Sequence, residues 1–326
     1  FIDMYAGRLR NQVSFMLSAC NFYMPIFEEA LDAYGLPLEL RYLPIIESAL
    51  NPSAVSRAGA SGLWQFMIGT GKIYGLESNS LVDERRDPIK ATWAAARYLK
   101  EMYDIYGDWN LVIAAYNCGP GTINKAIRRA NGETDYWKIY NYLPKETRGY
   151  VPAFIAANYV MTYYCDHNIC PMETNIPAST DTVQVNKNLH FEQIADLCNV
   201  PLDQIKSLNP QYKKQMIPGD SKPYTLRLPI DAISTFIDKQ DTIYTHRADE
   251  LFRNRKTVAV KDITPATRKT TSAVAGKGNL TYYTIKSGDT LSTIARKYGV
   301  TIKDIQRWNG MSSTKIAAGK RLKIYK

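Results

Sequence analysis

The feature that decides the fold lies in residues 37–67, which read PLELRYLPIIESALNPSAVSRAGASGLWQFM. Helical spacing places one carboxylate on a face with four leucines, the set being Leu36, Leu40, Leu43, Glu47 and Leu50. Burial among leucines disfavours the charged form of a carboxyl group, so we expect a raised pKa that lets Glu47 donate a proton near neutral pH. The structural alternative is a buried glutamate that is satisfied by an arginine, such as Arg41 or Arg57.

The residues after this helix predict a tight turn and then an apolar return. Asn51-Pro52 ends the helix, AGASG at 58–62 lets backbone segments approach closely, and LWQFM at 63–67 restores apolar bulk with one amide. Two further motifs follow along the chain, AYNCGPG at 115–121 and ETRGYV at 146–151.

Together these three motifs resemble the catalytic core of the soluble-type lytic transglycosylases, the enzymes that cut the glycan strand of peptidoglycan. A lone G-L-x-Q would be weak, but ESALNPSAVSRAGASGLWQFM, A-Y-N-x-G-P-G and E-T-R-x-Y-V occur here in the family's order. The resemblance implies a mainly α-helical, lysozyme-like catalytic domain.

The resemblance also implies that Glu47 is the single general acid and base. In that scheme it protonates the β-1,4 bond between N-acetylmuramic acid and N-acetylglucosamine while the substrate's N-acetyl group assists departure. Glu47 then takes the proton of the C6 hydroxyl, which closes a 1,6-anhydro ring without consuming water, and the intramolecular attack needs no second protein base. Glycosidases usually employ two carboxylates, but Glu39, Asp87 and Glu146 lie in no comparable apolar frame.

Further residues match the family's substrate-binding positions. Ser48 follows the acid, Ser56 matches a serine near the N-acetyl group, and Tyr150 matches the tyrosine that hydrogen-bonds the catalytic glutamate. The groove and its walls are completed by Gln65, Met67, Tyr116 and Asn117. For each residue the structural alternative is core packing or a satisfied turn. Two rival functions stay open, a goose-type lysozyme that hydrolyses the same bond and a non-catalytic glycan-binding scaffold.

Helical periodicity extends through the first 165 residues. It predicts a helical segment over 1–35 that ends at Gly35, helices over 88–106 and 109–117, and a closing helix from Pro152 to Tyr164. Polar and proline residues over 171–182 read as a linker.

An internal repeat follows the linker, because residues 183–209 align without a gap on residues 283–309. The later copy, YTIKSGDTLSTIARKYGV at 283–300, resembles the LysM domain, a strand-helix-helix-strand module that binds glycans containing N-acetylglucosamine. Gly288, Asp289 and Thr290 form its turn from strand to helix. We expect the same three residues to bind glycan.

The earlier copy departs from the LysM pattern. It has Asn188-Leu189-His190 in place of the turn and an insertion near 220–223. We therefore expect it to keep the fold and to dock on the helical domain as a structural part. The later copy, reached through a basic tether at 253–279, is expected to hold the cell wall.

The predicted fold class is thus α+β and multidomain. The lysozyme-like domain with its N-terminal helical segment takes residues 1–170, and small βααβ LysM-like modules follow. The degenerate module takes 181–229, a helix and basic linker 230–280, and the terminal LysM module 281–326.

The net charge of +10 is unevenly distributed along the 326 residues. Residues 246–326 carry a net charge of +13, whereas residues 1–245 carry −3. Because the basic side chains are scattered instead of forming an arm or a recognition helix, we expect peptidoglycan, itself a polyanion, as the partner and no nucleic acid.

Five cysteines are present, and Cys165 and Cys170 are close enough in sequence to bridge in an oxidising compartment. The spacing around His167 offers no fourth ligand, so we expect no metal and no cofactor. No apolar run is long enough to span a membrane, and the residues from Phe1 onward do not form a charged n-region followed by an apolar h-region. We expect a monomer in the cell envelope, periplasmic or outer-membrane associated, with any export signal or membrane anchor outside this sequence.

Overall fold

The computed structural model describes residues 1–174, 176–177, 179–252, 280–286, 288–309, 311, 313–314 and 316–325. The chain divides into two compact units, one before and one after residue 265. The predicted tether at 253–279 lies outside the described residues.

The first part of the chain is helical. Its α-helices are Arg10–Ala33 (α1), Leu43–Ser48 (α2), Ile68–Ile73 (α3), Pro88–Tyr106 (α4), Trp109–Cys118 (α5), Pro120–Arg129 (α6), Tyr136–Ile139 (α7) and Lys145–Thr162 (α8). A π-helical turn at Met4–Arg8 and 3-10 turns at Leu38–Tyr42, Glu84–Arg86 and Tyr140–Tyr142 complete this region.

Local signals set several of these bounds. Helix α1 stops before Gly35, which adopts a φ of +64°, and the amide of Leu36 donates to the carbonyl of Leu31 at 2.9 Å, as in a glycine C-cap. Helix α4 spans the predicted residues 88–106. Asp87 is its N-cap and Gly107 its C-cap. Helix α5 runs one residue beyond the predicted 109–117.

The sequence periodicity predicted one helix over residues 36–50. The structure does not have a continuous helix there. A 3-10 turn at Leu38–Tyr42 leads into α2, and Ala49 and Leu50 then adopt left-handed backbone conformations. Pro44 interrupts the helical hydrogen bonding because it has no N–H to donate. All four leucines of the predicted face are nevertheless buried, and they are Leu36, Leu40, Leu43 and Leu50.

The closing helix begins seven residues before the predicted Pro152, so the E-T-R residues of the third motif form its first turn. Pro152 lies inside α8, where a proline leaves the carbonyl four residues earlier without its helical donor. The Tyr136 hydroxyl donates to that carbonyl, the oxygen of Arg148, at 2.9 Å. A neighbouring side chain therefore replaces the missing backbone bond.

The earlier repeat copy forms a βααβ module with an added ribbon. Its elements are Thr180–Val185 (β1), Asn188–His190 (β2), Phe191–Cys198 (α9), Leu202–Leu208 (α10), Met216–Pro218 (β3) and Tyr224–Pro229 (β4). Strand β1 pairs antiparallel with β4, from Thr180 opposite Pro229 to Val185 opposite Tyr224. The residues in place of the LysM turn form β2, which pairs with β3.

Three short helices extend this module, namely Ile230–Asp238 (α11), Gln240–Thr245 (α12) and Ala248–Leu251 (α13). Ala232, Phe236 and Ile243 are buried in the same core as Ile194 and Leu226. The module core therefore continues beyond the predicted boundary at residue 229. We refer to residues 179–252 as the docked module.

The terminal unit has the same βααβ order, with Leu280–Thr284 (β5), Leu291–Tyr298 (α14), Ile302–Asn309 (α15) and Arg321–Tyr325 (β6). Strands β5 and β6 pair antiparallel. Asn309 at the end of α15 donates to the Ile305 and Lys323 carbonyls and accepts from the Lys323 amide.

Asn209 makes the same three bonds in the earlier copy, to Ile205 and Arg227. The asparagines lie one hundred positions apart, but their strand partners Arg227 and Lys323 lie 96 apart. This difference is the insertion that the sequence predicted near residue 220.

Candidate active site

Glu47 lies in the last turn of α2 and is partly buried. The Tyr150 hydroxyl, which reaches it from α8, donates to Glu47 Oε1. Burial raises the pKa of Glu47 to about 7; the Tyr150 hydrogen bond opposes this rise, and the negative charge of Glu146 adds to it. A carboxyl group with this pKa exchanges a proton readily near neutral pH.

The second motif, at 115–121, and the third motif, at 146–151, contact each other near Glu47. The Thr147 hydroxyl of α8 donates to Asn117 Oδ1 of α5 at 2.9 Å, which fixes the two helices next to each other. Burial is the main reason that the pKa values of Tyr116 and Tyr150 lie well above the usual tyrosine value, and the charge of Glu47 raises both further. Both hydroxyls therefore remain protonated donors across the pH range in which Glu47 titrates.

Residues 59–66 form a loop beside Glu47, which we call the glycine loop. The Ser48 hydroxyl donates to the Leu63 carbonyl at 2.9 Å, and the Tyr116 hydroxyl donates to the Trp64 carbonyl at 2.7 Å. Two site residues thus hold this loop from different helices. With its hydrogen engaged, the Ser48 hydroxyl has only lone pairs left to offer a substrate.

Gln65 adopts a φ of +47° in this loop. Its side-chain nitrogen donates to the Gly62 carbonyl at 2.7 Å and more weakly to the Ala54 carbonyl at 3.3 Å, so the amide oxygen is the atom left for a ligand. Met67 follows the loop and is 46% exposed. Ser56 accepts from the Ala60 amide at 3.0 Å and stabilises the turn that opens the loop.

The structure thus links Glu47, Ser48, Tyr116, Asn117 and Tyr150 through neighbouring elements. Gln65 lies on the glycine loop, and Ser56 and Met67 lie just outside its two ends. Contact of any of these side chains with substrate stays a prediction.

The alternative explanations of Glu47 find no support in its contacts. Arg41 pairs with Glu28, and within the described residues the hydrogen bond to Glu47 comes from a neutral tyrosine. Glu39 and Glu146 are exposed, and Asp87 accepts from the Ile89 and Lys90 amides as the cap of α4. Burial also raises the pKa of Asp87, but its carboxylate is engaged as a helix cap, whereas Glu47 accepts from Tyr150 of the third motif.

Sequence reasoning missed Asp83 and Arg85, both of which are buried. Arg85 donates to the Gly59 and Phe66 carbonyls, each at 2.9 Å, at the two ends of the glycine loop. The signal was the charged run DERRD at 83–87 directly after apolar Leu81-Val82. Charges in such a position are seldom buried unless they are paired.

The glycan-binding residues predicted in the terminal unit form its first turn. Gly288 has a φ of +90°, Asp289 accepts from the Tyr283 hydroxyl and the Lys286 amide, each at 2.8 Å, and Thr290 accepts from the Thr293 amide at 3.2 Å. The same unit contains a cavity of about 400 Å³ that is lined by residues other than these three. The lining residues are Ile285, Asn309, Met311, Ile316, Ala317, Lys320, Arg321 and Leu322. Sequence motifs alone did not single out this apolar and basic set.

In the described ranges, no three His, Cys, Asp or Glu side chains come together as a metal site would require. No helix among those residues is both long and apolar enough to cross a bilayer. Cys165 and Cys170 are exposed free thiols.

Comparison with known families gives three matches along the chain. Residues 24–139 match the transglycosylase SLT domain, residues 179–245 match the LysM-like domain of lytic transglycosylase MltD, and residues 283–324 match the LysM domain. The chain therefore carries an SLT-type transglycosylase domain followed by LysM-type modules. This confirms the family resemblance and the fold class predicted from the motifs.

The chain is also similar to individual murein transglycosylases. The chain is 33% identical over 294 residues to the membrane-bound lytic murein transglycosylase D of Escherichia coli strain K12, covering 89% of this chain and 60% of that protein. The soluble lytic murein transglycosylase of the same strain is 33% identical over 124 residues, covering 36% of this chain and 19% of that protein. This chain thus spans 60% of the first relative's length.

A solved structure also matches part of the chain. It is the 70 kDa soluble lytic transglycosylase of Escherichia coli, with 29% identity and a TM-score of 0.38 over 44% of this chain and 24% of that one.

Proposed function

We propose that this protein is a peptidoglycan lytic transglycosylase. It cleaves the β-1,4 bond between N-acetylmuramic acid and N-acetylglucosamine and leaves 1,6-anhydro-N-acetylmuramic acid ends. The observation that carries the proposal is Glu47, whose pKa of about 7 results chiefly from burial and whose position is fixed by Tyr150. The SLT match and the murein transglycosylase relatives support the reaction class.

In the proposed mechanism Glu47 starts protonated and gives its proton to the bridging oxygen as the glycosidic bond breaks. The resulting carboxylate takes a proton from the C6 hydroxyl, whose oxygen bonds to C1 and closes the anhydro ring. One group serves both steps because a pKa near 7 makes its two protonation states close in free energy at neutral pH. The Tyr150 hydrogen bond favours the charged form between the steps.

The chemical test is mass analysis of products from purified peptidoglycan sacculi. Glycan ends lighter than the reducing sugar by the mass of one water are expected, since the anhydro ring forms without hydrolysis. Reducing ends as the main product would instead establish a goose-type lysozyme activity. Intact sacculi after incubation would favour the non-catalytic scaffold.

Peptidoglycan strands are the proposed partner of the terminal LysM-type module as well. Apolar side chains with adjacent Lys320 and Arg321 line its cavity, and such a surface suits sugar rings that carry acidic peptides. We place the protein in the cell envelope, since the compared relatives are named as membrane-bound and soluble murein transglycosylases.

A further inference from the structure

The glycine loop is held at both ends by one buried side chain. Arg85 is 5% exposed, and its Nη1 donates to the Gly59 carbonyl and to the Phe66 carbonyl at 2.9 Å each. Gln65 lies between these two anchor points. The backbone of Arg85 also packs against Gly62, where an added Cβ would lie 1.7 Å from the Arg85 carbonyl oxygen. The conformation of the loop therefore depends on where Arg85 sits.

Asp83 determines that position. Its two carboxylate oxygens accept from Arg85 Nε at 2.9 Å and from Nη2 at 2.8 Å, which is the bidentate geometry that orients a guanidinium best. Asp83 is 1% exposed. Burial alone would raise the pKa of Asp83, but the hydrogen bonds and charge of Arg85 and the charge of Lys213 hold it below its usual value.

The docked module supplies further contacts of Asp83. The Asp83 amide donates to the Gln211 carbonyl at 2.9 Å, and the Lys213 amide donates to the Leu81 carbonyl at 2.8 Å. Lys213 Nζ lies 3.7 Å from Asp83 Oδ2 and donates to the Asn79 carbonyl at 2.7 Å. A continuous set of polar contacts therefore joins the docked module, through Asp83 and Arg85, to the glycine loop.

We propose that the docked module is a brace for substrate binding, in which Lys213, Asp83 and Arg85 act as positioning residues for the glycine loop. The inference rests on the proposed function, since it assigns the loop to the glycan site. The contacts end on the loop and not on Glu47, which is held by Tyr150 of α8. Loosening the brace should therefore weaken glycan binding and leave the protonation of Glu47 unchanged.

The test is Lys213→Met in the full chain, with soluble uncross-linked glycan strands as substrate. The loop is expected to become less ordered, so KM should rise about five- to tenfold, with kcat within about twofold of the original. The pH at which kcat/KM falls should not move, and Lys213→Arg should restore KM.

Lys222→Met is the matched control. Lys222 pairs with Glu77 at 2.6 Å in the same interface, but neither residue contacts Asp83 or Arg85 among the described contacts. It should leave KM unchanged. An equal rise in KM for both variants, or a Lys213→Met variant that loses thermal stability with KM unchanged, would show that the module only stabilises the fold and would overturn the brace.

A binding measurement separates this inference from the proposed function. In a Glu47→Gln background, the same strands should bind about five- to tenfold more weakly when Lys213→Met is added. That ratio can be measured whether or not the original chain cuts the strands, and a ratio near one would reject the brace. Failure of the unmodified chain to cut would count against the transglycosylase alone.

Discussion

At the scale of single residues, the proposed mechanism gives Glu47 two roles that most glycosidases divide between two carboxylates. Burial disfavours the charged form of the Glu47 carboxyl group, while the hydrogen bond from Tyr150 favours that form. The balance of these two effects and the charge of Glu146 gives Glu47 a pKa of about 7, above the usual value for a glutamate. Removing a neighbour should therefore shift the pH profile in a direction set by whether that neighbour lowers or raises the pKa of Glu47.

Glu47→Gln tests the acid itself. The amide keeps the shape of the side chain but cannot exchange the proton, so cleavage should fall by at least about a hundredfold while glycan binding and thermal stability stay close to the original. Glu39→Gln is the control, because Glu39 is an exposed carboxylate just before α2 and should leave turnover unchanged. Substantial turnover by the Glu47 variant would mean that the acid is elsewhere.

Tyr150→Phe and Glu146→Gln should shift the pH profile in opposite directions. The Tyr150 hydroxyl lowers the pKa of Glu47 and the Glu146 charge raises it. A general acid must be protonated, so kcat/KM falls as pH rises through its pKa. Loss of the hydroxyl should move that fall to higher pH by about half to one unit.

Loss of the Glu146 charge should move the fall in kcat/KM to lower pH. The shift should be smaller, because Glu146 is exposed and solvent screens its charge. Profiles of kcat/KM between pH 5 and pH 9 on soluble glycan strands measure both shifts. Movement of both variants in the same direction would contradict the account of Glu47 given by burial and these two neighbours.

At the scale of elements, the sequence was informative wherever the determining signal is local. Helix α4 could be predicted because its cap Asp87, its first residue Pro88 and its terminal Gly107 all act within a few residues. The family resemblance located Glu47 and Tyr150 as a pair, and the hydrogen bond between them is present.

The remainder depends on distant partners, which periodicity does not contain. The start of α8 could not be placed because Pro152 is compensated by Tyr136, from a different helix. Asp83 likewise depends on distant residues, since Gln211 and Lys213 of the docked module, which contact it, lie more than a hundred residues further along the chain. In the terminal unit the motif located the turn, whereas the cavity also involves residues from the loop before β6.

Gly62→Ala and Gly59→Ala separate backbone conformation from packing in the glycine loop. Both glycines have a φ of +89°, so alanine should cost each about 1 kcal/mol of unfolding free energy for the left-handed backbone. Gly62 faces the Arg85 carbonyl, whereas nothing lies within 4 Å of a Cβ at Gly59. Gly62→Ala should therefore cost at least about 2 kcal/mol more and lower glycan affinity. Denaturant unfolding measures the difference, and equal losses would mean that the loop adapts without cost.

At the scale of the whole molecule, catalysis and wall attachment are assigned to two units with separate cores. Removing residues 281–326 should weaken binding to insoluble peptidoglycan about tenfold or more and leave cleavage of short soluble glycan fragments unchanged. Attachment raises the local concentration of substrate without altering the catalytic groups. Sedimentation with purified sacculi and turnover of soluble fragments measure the two properties, and a parallel loss of both would contradict the separation.

A pair of point variants tests whether this attachment uses the cavity of the terminal unit or only its charge. Ala317 and Ala318 are both exposed, but of the two only Ala317 lines the cavity. The surrounding tail is strongly basic. Ala317→Glu places bulk and a negative charge where the glycan is expected, whereas Ala318→Glu adds the same charge outside the cavity. If sugar rings enter the cavity, sedimentation with sacculi should fall several times further for Ala317→Glu, and the difference should persist in 0.5 M salt, where the Debye length is only about 4 Å. Equal losses that both disappear at high salt would mean that the basic surface binds the acidic wall without a specific site.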